Sequence, residues 1–150
     1  MKKLAGILSI VTMAFVLLSI KSPEEATTYN LEVKVTGLRN SKGRVQFFLY
    51  NKNGTIPDEK FKKCIRRKIC TIKGKGSTTT FYNLPKGKYA VTMLHDENRN
   101  GKIDKGWVLP VEGIGFSNLK SFGLTNRPNF KKASFYVGSN TSKTIKVIYM

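Results

Sequence analysis

Residues 95–104 read His-Asp-Glu-Asn-Arg-Asn-Gly-Lys-Ile-Asp, and from Asp96 they spell D-x-N-x-N-G-x-x-D. In such a loop, oxygen side chains at positions one, three and five converge on one point. Glycine at six permits a sharp turn, a carbonyl comes from seven, and another oxygen comes from nine. Here those positions are Asp96, Asn98, Asn100, Gly101, Lys102 and Asp104. The chemistry of this set is coordination of a hard divalent cation, calcium first. Position twelve is Trp107, so the bidentate Glu of an EF-hand loop is missing; Glu112 can fold back to replace it. Four of the nine acids, Asp96, Glu97, Asp104 and Glu112, fall within residues 96–112, so a very basic chain has gathered its carboxylates in one place. Two formal charges and no Glu at twelve set the expected calcium affinity at the weak end, about 10⁻⁴–10⁻³ M. The competing expectation is a cation-free loop held by Asx-turns, because Asp, Asn and Gly also favour turns for local reasons.

Other reactive side chains are few. His95 is the only histidine, so no zinc site of the common kinds can be built, and its expected place is a strand end packed beside the loop. No G-x-S-x-G motif or Cys–His arrangement is present. Catalysis would have to run through carboxylates, Glu112 with Asp96 or Asp104. Cys64 and Cys70 are the only cysteines, and in an exported chain an even count predicts a disulfide. Fully extended, six residues would separate them by roughly 20 Å, so a bridge requires the chain to turn within Ile65–Ile69.

The elements that position these residues read as strands. Leu31, Val33 and Val35 alternate with Glu32, Lys34 and Thr36; after a turn at Gly37–Gly43, Val45, Phe47 and Leu49 alternate with Gln46, Phe48 and Tyr50. The pattern predicts a β-hairpin. A short helical turn is expected at Pro57-Asp58-Glu59, with Phe61 as its apolar contact. A second hairpin is expected from Ile69–Ile72 and Thr78–Tyr82, then a Pro–Gly turn at Asn83–Tyr89 and a strand through Tyr89, Val91 and Met93 that ends at His95. Phe130–Val137 and Thr144–Tyr149 supply closing strands. About seven short strands and no long helix predict an all-β fold, an antiparallel β-sandwich.

The N-terminus reads as an export signal. Lys2 and Lys3 precede an apolar run, Leu4–Ile20, that ends at Lys21-Ser22-Pro23. The expected organisation is a signal peptide over 1–22 (an uncleaved anchor being the alternative), a polar linker over 23–28 and one domain over 29–150. The formal net charge of +18 falls to +15 without the leader, a field that attracts polyanions. With an export signal, an anionic envelope polymer or lipid surface is the expected partner, in preference to nucleic acid. The bases are 21 Lys and 6 Arg, a balance that also suits a solvated surface.

Five segments, TGLRNSKGRV, FYNLPKGKYAV, HDENRNGKID, PVEGIGFSN and RPNFKKASF, occur in this order. Together they make residues 29–150 resemble a bacterial family known as domain of unknown function 2141. The resemblance implies an exported, transthyretin-like β-sandwich without an established activity. It marks Pro110, Glu112, Gly113, Gly115, Phe116, Ser117 and Asn118 as a second family-typical segment. The chain departs from the family pattern around Trp107–Leu109 and at Leu119, and Cys64–Cys70 looks like a local insertion. A ligand-binding role is expected of His95, Trp107, Phe116 and Asn118. Two functional classes follow: a structural or binding module whose 96–118 loops form a calcium-stabilised surface, and a carboxylate-dependent enzyme acting on envelope glycans.

Overall fold

The computed structural model describes residues 27–150 apart from 108, 109 and 124. The expected signal segment and residues 23–26 of the linker lie outside the described residues, and Thr28 already opens the first strand. Among the described residues there are eight strands and one short helix. In chain order they are β1 (Thr28–Thr36), β2 (Arg44–Tyr50), β3 (Arg66–Cys70), β4 (Gly76–Pro85), β5 (Gly87–Asp96), β6 (Gly113–Phe116), α1 (Phe130–Ala133), β7 (Phe135–Val137) and β8 (Thr141–Lys146). None of the described helices is long and apolar enough to cross a membrane.

The strands form two packed sheets, the sandwich that the alternation predicts. One has the order β4-β1-β8; the other has β3-β2-β5-β6, with β7 also paired to β5. All pairings are antiparallel except β1 with β8, which is parallel and sets Leu31 opposite Thr141. The antiparallel expectation is corrected at that one pair.

Neither expected hairpin forms. β1 pairs with β4 and β8, while β2 pairs with β3 and β5, so the turn at Gly37–Gly43 carries the chain across the core to the other sheet. The physical reason lies in the outward residues. β1 turns Lys34 and Thr36 to solvent and suits a sheet with one wet face, whereas Gln46, Phe48 and Tyr50 of β2 are buried like their inward neighbours. β3 and β4 separate in the same way, and the bridge between Lys73 and Gly76 closes only the turn that leads from one to the other. Their edges still meet through side chains: Arg66 donates to the carbonyl of Tyr82, and Lys68 Nζ donates to that of Thr80 at 2.7 Å. On the opposite side, Ile114 and Ile148 form a backbone bridge between the sheets.

The expected helical turn at Pro57 is a hydrogen-bonded turn from Asp58 to Phe61, and Phe61 stacks on Phe48 with ring centroids 3.8 Å apart. The strand expected across Phe130–Val137 is interrupted at its start. Asn129 accepts the Lys132 amide as an N-cap, and Phe130 and Ala133 fall on one buried side, so the first four residues close a helical turn before β7.

Two apolar clusters result. The first fills the space between the sheets, with Leu31, Val33, Phe47, Phe81, Val91 and Met93 among its members. The second lies on the outer face of the larger sheet, where Phe48, Tyr50, Ala90, Leu94, Ile114 and Phe116 are covered by loops and α1.

Candidate functional site

The 96–104 loop grows from the end of β5 and folds over this outer face. Asp96 itself is fully buried at a polar corner. Its Oδ2 accepts from Arg44 Nε at 2.7 Å, from Gln46 Nε2 at 2.5 Å and from the Gly101 amide at 3.1 Å. Arg67 donates in turn to the Gln46 side-chain oxygen. The Gly101 contact returns the loop onto its first residue, and Gly101 takes a φ of 77°, which glycine adopts without strain. Asp96 Oδ1 is buried and has no hydrogen-bond donor among the described residues.

The rest of the motif gathers around Asp104. Asn98 Nδ2 donates to its Oδ2 at 2.6 Å, and Asn100 Nδ2 donates to both of its oxygens, at 2.9 and 3.0 Å. The side-chain oxygens of Asn98 and Asn100 accept the amides of Asn100 and Lys102, two successive Asx-turns. Glu112 folds back onto the loop, where it meets backbone amides. Its Oε1 accepts the Glu97 amide at 2.9 Å, and its Oε2 accepts the Asp104 amide at 3.4 Å. Burial raises the Glu112 carboxyl above the ordinary range; the two backbone bonds oppose this, and Asp104 and Asp96 nearby add to it. Among the described residues, no three or more His, Cys, Asp or Glu side chains are grouped to hold a metal. A cation here would therefore depend on the Asn oxygens and the Lys102 carbonyl as well as on the acids.

His95 lies on the opposite face of β5 and is fully buried. Its Nε2 is 2.9 Å from the Lys42 carbonyl, which can only accept, so Nε2 carries a proton. In the neutral ring Nδ1 then accepts from the Tyr149 hydroxyl, 2.7 Å away, and that hydroxyl accepts from the Arg39 amide. Glu97 closes the same corner. Burial pushes its carboxyl up, but hydrogen bonds from Asn40 and Arg39 outweigh this and hold it below the usual range. His95 thus ties the Lys42 turn and the C-terminal segment to β5.

The second family-typical segment is packed as a strut. A Cβ on Gly113 would stand 2.5 Å from Tyr149 and Val147 side-chain atoms, and one on Gly115 would stand 2.5 Å from Ile145. The Ser117 hydroxyl accepts the Val91 amide at 2.9 Å and donates to the Ala133 carbonyl at 2.7 Å, joining β5 to α1. Asn118, at a φ of 61°, donates to the Ser134 carbonyl. Of the residues expected to meet a ligand, His95 and Asn118 are engaged by the fold, and Trp107 is fully exposed. Phe116, only 7% exposed, lines a cavity of about 330 Å³ on the outer face.

The expected Cys64–Cys70 disulfide is absent; both thiols are free. The turn that the bridge required is replaced by β3, extended from Arg66 to Cys70 along β2. Cys70 packs against the inner cluster and Cys64 against the outer one, so the sheet lies between them. Burial raises the Cys64 thiol above its ordinary range.

Sequence reasoning missed Arg44, Gln46 and Arg67 as partners of Asp96. The available signal was Phe48 and Tyr50 on the supposed solvent face of β2: two aromatics there imply that the face is covered, and that Gln46 beside them needs a buried partner.

The model of a family described as "Uncharacterized protein conserved in bacteria (DUF2141)" matches residues 33–146. No curated protein and no solved structure matches the chain.

Proposed function

Because the chain belongs to the DUF2141 family over a span that contains both loop segments, we propose that it is an exported binding module whose 96–104 loop is stabilised by calcium. The observation that carries this reading is Asp96 Oδ1, a buried carboxylate oxygen without a donor among the described residues. Such a group costs free energy unless something positive or protic meets it. Asn98, Asn100 and Asp104 bring further oxygens into the same short loop, and Glu112 stands behind them. Calcium accepts six to eight oxygens in flexible geometry, which suits this neutral-rich set better than magnesium's tight octahedron does. Arg44, already paired with Asp96 Oδ2, lowers the affinity.

Export is supported by the Lys-flanked leader, and an anionic envelope polymer or lipid surface is the partner class that the net positive charge favours. Arg66, Arg67 and Lys68 of β3 are held in place by hydrogen bonds to neutral acceptors, which leave their charges in that field.

Calorimetric titration with calcium tests the loop. A single weak site with a dissociation constant of about 10⁻⁴–10⁻³ M is expected, lost in Asp104→Ala. No calcium heat in the parent, or an equal signal in the variant, would show that the loop is only a well-made turn. Cell fractionation tests export; retention of the full-length chain in the cytoplasm would refute it.

A further inference from the structure

The cavity beside Phe116 lies on the outer face of the larger sheet. Its floor is β5 at Thr92–Leu94 with Ile114 and Phe116 of β6; its walls are the Pro57–Phe61 turn, Ile103 of the 96–104 loop with Lys105 just after it, and Phe122 with Arg127. Its volume of about 330 Å³ falls within the range of small-molecule sites, roughly 300–1,000 Å³. That is about twice an engineered apolar cavity of about 150 Å³ that holds benzene. The lining is mainly hydrocarbon and aromatic, with charges only at the rim, so the body of an occupant must be apolar.

The rim decides the head. Asp58 is committed to its own turn, since its oxygens accept the amides of Lys62 and Lys63 at 3.1 and 2.7 Å and the Tyr50 hydroxyl at 3.3 Å. Glu59 is paired with Lys105 at 2.7 Å. The Arg127 guanidinium is exposed and makes no hydrogen bond or ion pair among the described residues. Lys132 Nζ reaches the Arg127 carbonyl at 3.3 Å, which brings a second cation to the same side. An unengaged guanidinium at the mouth of an apolar cavity complements a carboxylate, which it can grip through two parallel hydrogen bonds.

We infer that this cavity binds a free, small anionic amphiphile, with its apolar body against Phe116 and Phe122 and its carboxylate at Arg127. The inference does not require the calcium reading, because the 96–104 loop contributes only part of one wall.

The test is calorimetric titration of the full chain with octanoate, octanol and octyltrimethylammonium, first in EDTA and then in millimolar calcium. Octanoate should bind about tenfold more tightly than either other probe, in EDTA as well as in calcium. Arg127→Glu, a surface change, should weaken octanoate about tenfold, leave octanol unchanged and improve the ammonium, with an unaltered melting temperature. Phe122→Ala should weaken all three. Failure of octanoate to bind, equal binding of the three probes, or an unchanged octanoate affinity in Arg127→Glu would each overturn the proposal. So would binding to phosphatidylglycerol vesicles without binding to free octanoate. Loss of the calcium signal with octanoate binding intact would refute the loop reading alone.

Discussion

Residues 96–104 and 112–118 draw on the same small alphabet of acid, Asn and Gly, yet the fold uses them in opposite ways. The first segment leaves the sheet and bonds to itself: Asp104 gathers two Asn side chains, and two Asx-turns fix their oxygens. The second enters the sheet and has almost no freedom. Gly113 and Gly115 are flat spots on which Tyr149, Val147 and Ile145 rest, and Ser117 replaces a backbone partner for Val91. What distinguishes them is the company each keeps. A glycine at positive φ in a polar loop provides a turn, while a glycine under aliphatic side chains provides room.

This contrast can be broken most sharply at Gly115. Gly115→Val would force Cβ against Ile145 and Met93, at 2.5 and 3.0 Å before relaxation, and should cost about 3 kcal/mol in urea unfolding. A loss within experimental error would mean that the strut is loose. Next comes saturating calcium. At about 100 times its dissociation constant it should add roughly 2.7 kcal/mol to the parent, read as a higher melting temperature, and add nothing to Asp104→Ala. Ser117→Ala should follow, costing about 2 kcal/mol because the buried Val91 amide loses its acceptor; full stability would show that another acceptor takes over. The smallest effect belongs to Asn98→Ala in EDTA, about 0.5 kcal/mol or less, since its bonds are exposed. A large loss there would erase the distinction between an adaptable loop and a rigid strut. Asp96→Ala is a poor probe of the cation, because it also strands Arg44 and Gln46.

The sandwich and most of its strands were legible in the alternation of Leu31, Val33 and Val35 and of Tyr89, Val91 and Met93. Pairing was not, because period two reports which side chains share a face and not which strand lies beside which. Phe48 and Tyr50 carried the missing information, since a two-faced strand belongs in the sheet covered on both sides. The motif at 96–104 was legible as a folded-back loop together with Glu112. Its buried anchor was not, because Arg44, Gln46 and Arg67 come from two other strands and meet Asp96 only through register. The cysteines misled for a related reason: their spacing fits a small closed loop, but Arg66–Cys70 is needed as an edge strand beside β2.

The parallel pairing of β1 with β8 sets a timetable for the chain. Partners at the two ends stand 110 residues apart, as in the bond from the Asn30 amide to the Asn140 side chain. Arg39 likewise waits for Tyr149. While a ribosome is still adding residues, the first strand has one neighbour, β4, and its other edge stays open until β8 has been made. Contacts of such long sequence separation slow folding, so the three-stranded sheet closes late. Until β8 emerges the three-stranded sheet is short of one member, and a truncation that removes β8 would leave β1 bare along one whole side.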